Sequence, residues 1–81
     1  MNTQQLTENQ EANRIEDGYR IYNQNLIETI NDNEYIVSGK YHVEYYPIAD
    51  TYTCNCGDHS FRQVRCKHIH AITFYIMEYG A

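Results

Sequence analysis

The side chains able to do chemistry are concentrated in one stretch, Thr53-Cys54-Asn55-Cys56 through Cys66-Lys67-His68-Ile69-His70, which holds all three cysteines and three of the four histidines of an 81-residue chain. An odd number of thiols cannot all pair as disulfides, and thiols mixed with imidazoles point to metal. Cys54 and Cys56 stand at i and i+2. Along an extended strand such residues project from one face, so a slight curl aims both sulfurs at one cation. Cys66 and His68 would lie on opposite sides of a helix. They converge only if Cys66 stands where a helix begins and His68 in its first turn.

Four donors of this type suit tetrahedral zinc, with Zn–S near ~2.3 Å and Zn–N near ~2.0 Å. A full set of protein ligands leaves no position for water, so the expected ion is a single structural Zn2+ per chain. Spacing alone leaves the fourth ligand open between His68 and His70, the latter four residues after Cys66. His59, three residues after Cys56, is a more remote candidate.

A chain this short needs such a staple, because it buries only about 60% of the surface its unfolded form exposes. Zinc can supply about 10–16 kcal/mol of apparent free energy in finger-sized units, so folding and metal loading are expected to be coupled. Hydrophobic residues make up 42% and charged residues 21%, ordinary for a globular domain. No apolar run of membrane-spanning length occurs, and the amino terminus has neither a basic nor an apolar leader region. The expectation is a cytoplasmic protein whose reducing surroundings favour thiolate ligands over disulfides.

Positioning the donors requires a framework, and the pattern supplies one. Residues Thr3 to about Asp17 read as a polar helix with a thin apolar stripe at Leu6, Ala12 and Ile15, ending near Gly18 or running on through Tyr22. From Asn25 the texture changes to period two. Leu26–Ile30 and Tyr35–Val37 flank the turn residues Asn31-Asp32-Asn33, and Tyr41–Tyr46 follows Ser38-Gly39. In that third strand Tyr41, Val43 and Tyr45 share one face and His42, Glu44 and Tyr46 the other. Pro47 ends it, Ile48-Ala49-Asp50 turns, and Thr51–Cys54 forms a short fourth strand.

After a loop containing Gly57, the segment Cys66–Tyr79 reads as an amphipathic helix with a core stripe at Ile69, Ile72, Ile76 and Tyr79, stopped by Gly80. The expected fold is α+β: an amino-terminal helix, an antiparallel sheet of three to four strands and a carboxyl-terminal helix, with the zinc site between the last strand and that helix. Residues 1–23 read as a polar helical arm and 24–81 as the zinc domain.

The pattern TCNC…RCKHIHAI resembles the SWIM zinc-finger family: C-x-C, a short insert, then C-x-H leading into a hydrophobic helix. Upstream, Tyr35-Ile36-Val37-Ser38-Gly39-Lys40-Tyr41-His42-Val43 is similar to the strand pair that precedes the family's finger, so the resemblance covers about residues 24 to 76. It implies a hairpin presenting Cys54 and Cys56, a helix presenting Cys66 and His68, and His68 as fourth ligand. It also implies DNA-binding or protein-interaction roles in recombination, repair or transcription.

Charge divides those roles. Residues 1–50 hold Arg14, Arg20 and Lys40 against nine acids, whereas residues 51–81 hold Arg62, Arg65 and Lys67 against Asp58 and Glu78. The formal net charge of −5 opposes a generic nucleic-acid binder, so any such contact falls to Arg62, Arg65 and Lys67, with exposed tyrosines for stacking. A protein partner, through the nine tyrosines or the polar first helix, is the alternative, and the two are compatible. No membrane and no small-molecule substrate is expected. An enzyme is not expected either: once four groups hold zinc, only His42, His59 and His70 remain, with no thiolate among them.

Overall fold

A computed structural model describes residues 3–79, with side chains from residue 10 onward. The elements are α1 (Thr3–Asn23), β1 (Ile27–Asn31), β2 (Glu34–Val37), β3 (Tyr41–Tyr46), β4 (Thr51–Cys54), α2 (Gly57–Arg62) and α3 (Lys67–Tyr79). The strands form an antiparallel meander in the order β1-β2-β3-β4. This is the expected α+β arrangement. Among the described residues no helix is long and apolar enough to cross a membrane.

Local chemistry sets each turn. The amide of Asn33 donates to Oδ1 of Asn31 at 2.9 Å between β1 and β2, an Asx turn of the kind short polar side chains favour. Between β2 and β3, Ser38 and Gly39 both take positive φ, and the Lys40 amide closes on the Val37 carbonyl. Two left-handed central residues give the turn a twist that matches the strands it joins.

Strand alternation builds one apolar face. Tyr35, Val37, Val43 and Cys54 point inward and are buried with Cys56, Cys66, Ile69 and Ile72. Glu34, Glu44 and His42 occupy the outer face, with Glu34 directly opposite Glu44. The stripe expected on α3 holds at Ile69 and Ile72, both fully buried, and partly at Ile76, but Tyr79 is exposed. Tyr79 instead packs on Tyr75 at the rim of an open cleft beside β1 and β2. Gly80 lies outside the described residues.

The first helix passes Gly18 and continues to Asn23. It stops because Asn25 adopts positive φ, which lets the Asn25 amide reach the Tyr22 carbonyl and the Leu26 amide reach the Ile21 carbonyl. Those two bonds form a Schellman motif. Its packing face is not the expected one: Ala12 and Ile15 are exposed, and the side chain of Leu6 lies outside the described residues. Gly18, Ile21 and Tyr22 meet α3 instead. Tyr19 and Tyr22 close on Phe74 with ring centres 5.4 and 6.3 Å away.

Gly18 is the contact point of the two helices. A Cβ placed there would stand 2.7 Å from Cβ of His70, 2.8 Å from the Lys67 carbonyl oxygen and 2.9 Å from the Ala71 nitrogen. Two of those atoms are backbone, so no rotamer change relieves the clash. Gly18→Ala gains about 1 kcal/mol of helix propensity but forces α1 off α3, an overpacking cost of about 1–3 kcal/mol. The melting temperature of the variant is expected to fall by several degrees, whereas Ala12→Gly should lower it only by the propensity term.

Candidate metal centre

Three elements deliver the four donors. Cys54 is the last residue of β4, Cys56 caps the start of α2, and Cys66 and His68 flank the first residue of α3. The β3–β4 hairpin thus carries Cys54 at its end, while Cys56 sits two residues beyond the strand. Asn55 makes the bend between them. Its amide donates to the His42 carbonyl at 3.3 Å, and its Oδ1 accepts from the His42 amide at 3.0 Å. The side chain thus imitates one more residue of strand pairing and pins the C-x-C segment to β3.

The donor atoms of Cys54, Cys56, Cys66 and His68 all lie within 4.8 Å of one another, and all four residues are buried. Nδ1 of His68 stands 3.7 Å from Sγ of both Cys54 and Cys66. In a tetrahedron the ligand–ligand edge is about 1.6 times the bond length, so bonds of ~2.0–2.3 Å require edges of roughly 3.5–3.8 Å. The two His68–thiol edges fall in that range, and the four donors together are placed to hold a metal ion.

Of the three candidate histidines, the structure brings His68 to the thiols and places the other two elsewhere. His70 lies under α1 against Gly18, and among the described residues its Nε2 has no hydrogen-bond partner. Burial holds its pKa below the usual imidazole value, with Arg65 adding to the effect. His59 is engaged within its own loop, its Nδ1 2.8 Å from the Val64 carbonyl oxygen. That loop also contains α2, which the sequence reading left without structure. Gln63 ends α2 in the left-handed region, with its amide on the His59 carbonyl.

The electrostatics ask for a cation. The Cys54–Cys66 hydrogen bond, followed by burial, pushes the Cys66 thiol up to about 12, and the same bond lowers Cys54. Burial raises Cys56. Backbone N–H groups of Cys56, His59 and Ile69 act in the opposite sense, each favouring the thiolate of a cysteine two or three residues before it. The balance leaves Cys56 and Cys66 above the usual thiol value and Cys54 below it.

A further group ties α1 to the site. Arg14 grips Asp58 in a two-point pair, Nε to Oδ2 at 2.7 Å and Nη2 to Oδ1 at 3.1 Å, across 44 residues. The Arg14 side chain is only 14% exposed. Its hydrogen bond holds the Asp58 carboxyl below the usual range against the opposing effect of burial. Asp58 follows Cys56 by two residues, so the pair fixes the peptide that carries a donor. Nothing in the spacing of Arg14 and Asp58 signals this, and Asn55 could have been suspected only from its place between two cysteines. Tyr41 stacks on His68, ring centres 3.9 Å apart and planes at 23°.

The basic residues singled out in the sequence fall around this centre without meeting one another. Lys67 lines a cleft of about 370 Å³ with Arg14, Tyr41, Gly57, Cys66 and His68. Arg62 lies beside Phe61 in an adjoining cleft that shares Gly57 and Asp58. Arg65 lays its guanidinium over the ring of Tyr52, 5.2 Å from the centre. No family model, curated protein or solved structure matches this chain.

Two outcomes are expected. Cys66, and Cys56 with it, carry protons near neutral pH in the metal-free site, so loading expels them. Affinity should therefore rise steeply with pH below the thiol range, measurable by chelator competition. In the metal-free chain the sign reverses. A thiol raised above its usual 9.0 towards 12 costs stability as pH climbs through that window. Arg14→Gln should cost about 1–2 kcal/mol, the value of a charge-assisted pair reduced for Asp58's partial exposure, and should speed metal release in a stopped-flow chelation assay.

Proposed function

We propose that this chain is a zinc-clasped binding module of SWIM type that contacts nucleic acid through the segment around its metal site. Cys54, Cys56, Cys66 and His68 would hold the ion, and the preference of thiolate and imidazole donors in a closed tetrahedron makes zinc the choice. The ion would supply fold, and with all four positions taken by protein it would have no catalytic vacancy.

One observation carries the nucleic-acid reading. From His59 to Met77 the chain contains Arg62, Arg65 and Lys67 and no acid, and this stretch wraps the metal site. The acids Glu34 and Glu44 face outward from the sheet, away from α3. Segregated charge lets a chain of net −5 present a cationic surface to a phosphate backbone. Three bases neutralise few phosphates, so micromolar affinity at low salt is expected, with log K falling against log salt at a slope of about −2 to −3.

A second reading, a protein adaptor, is favoured by Ile48, which is fully exposed in the β3–β4 turn near exposed Tyr46. The deciding experiment titrates the zinc-loaded chain with labelled single- and double-stranded DNA at two salt concentrations, beside a chelated sample and an Arg62→Glu/Lys67→Glu variant. Zinc-dependent binding lost in the variant supports the first reading. Absence of binding at low salt would leave the adaptor.

A further inference from the structure

The tyrosines that looked available for stacking are largely spoken for. Tyr19 and Tyr22 pack on Phe74, Tyr35 and Tyr79 on Tyr75, Tyr45 on Tyr52, and Tyr41 on His68. Phe61 is different. It meets no other aromatic ring among the described residues and is 89% exposed. It lies on α2, between the two ligand pairs of the metal site.

Its position is nevertheless defined. A Cβ built on Gly57 would stand 3.7 Å from two ring atoms of Phe61, so the ring rests over the glycine one helical turn before it. Gly57 in turn follows Cys56 directly, which anchors the platform to the metal site. Arg62 is the next residue, its side chain 60% exposed and its Nη1 3.9 Å from Oδ1 of Asp58, an exposed pair that a phosphate can displace. Across Gly57 and Asp58, which line both adjoining clefts, lie Lys67 and Tyr41. Lys40 adds a third cation there, its Nζ 5.3 Å from the Tyr41 ring centre.

A flat apolar ring with an open face, set between cations, complements a ligand that has both flat rings and a repeating negative charge. We infer that Phe61 is a stacking platform for an unpaired base of single-stranded nucleic acid, with Arg62 and Lys67 on the flanking phosphates. In a duplex both faces of each base are covered by its neighbours, so the platform has nothing to stack on and single strands are preferred. The inference rests on the nucleic-acid reading above.

The test uses the full zinc-loaded chain, a fluorescein-labelled oligo-dT strand and a matched duplex at low salt. Phe61→Ala should weaken oligo-dT binding about tenfold or more while leaving duplex binding, thermal melting and the absorption spectrum of a cobalt-substituted sample unchanged. Phe61→Trp should retain affinity. Because the chain contains no tryptophan, the indole introduced by Phe61→Trp is the sole such fluorophore, and oligo-dT should quench it. Binding of Phe61→Ala within twofold of the parent, or no quenching in Phe61→Trp at saturation, overturns the platform while the charge-reversed variant still decides the nucleic-acid reading. Equal or tighter binding of duplex also overturns it. Failure of the parent chain to bind either probe removes the reading itself, and the platform with it.

Discussion

Three thiols and an imidazole packed within 4.8 Å cannot carry three negative charges in a buried space unless a cation stands between them. That constraint organises the carboxyl-terminal half. It explains why Cys66 holds its proton so firmly in the free site, why backbone N–H groups are turned toward the sulfurs, and why the site draws on β4, α2 and α3 instead of a single loop. Each element contributes one or two donors and could not fill the coordination shell alone. The apolar core, Val37, Val43, Ile69 and Ile72 among its members, is continuous with the thiols and small. Sheet and metal site share the task of fixing α3.

The helix α1 extends the same logic. Gly18 permits the close crossing over Lys67, His70 and Ala71, and Arg14 reaches past that crossing to Asp58. The polar composition of α1 suited a helix that touches little. Its grip instead comes from one missing side chain, one ion pair and the Tyr19 and Tyr22 rings against Phe74, features that the stripe at Leu6, Ala12 and Ile15 does not register.

This is also where the sequence was least legible. Strand positions followed from period-two alternation, and the donors from residue type and spacing, because those signals are local. Spacing left His68 and His70 undecided, since a helix offers both i+2 and i+4 once its first residue is uncertain by one. The structure starts α3 at Lys67 and so brings His68, not His70, to the three thiols. The packing face of α1 was misplaced because Ala12 and Ile15 attract attention as apolar, whereas the contact depends on Gly18. The short helix α2 was missed because GDHSFR has neither a capping side chain nor a buried residue. Its shape is imposed by the ligands on either side.

The two ties that hold the finger differ greatly in the chain they enclose. Cys54 and His68 are 14 residues apart, whereas Arg14 and Asp58 are 44 apart. Closure entropy grows with the logarithm of loop length, which makes the longer tie costlier by about 1 kcal/mol before any ordering of α1 itself. The shorter loop, between two side chains placed to share a metal ion, is therefore the cheaper one to close. Synthesis runs the other way. A ribosome delivers α1 first, so the helix must wait, exposed and without its partner face, until the last ligand has emerged.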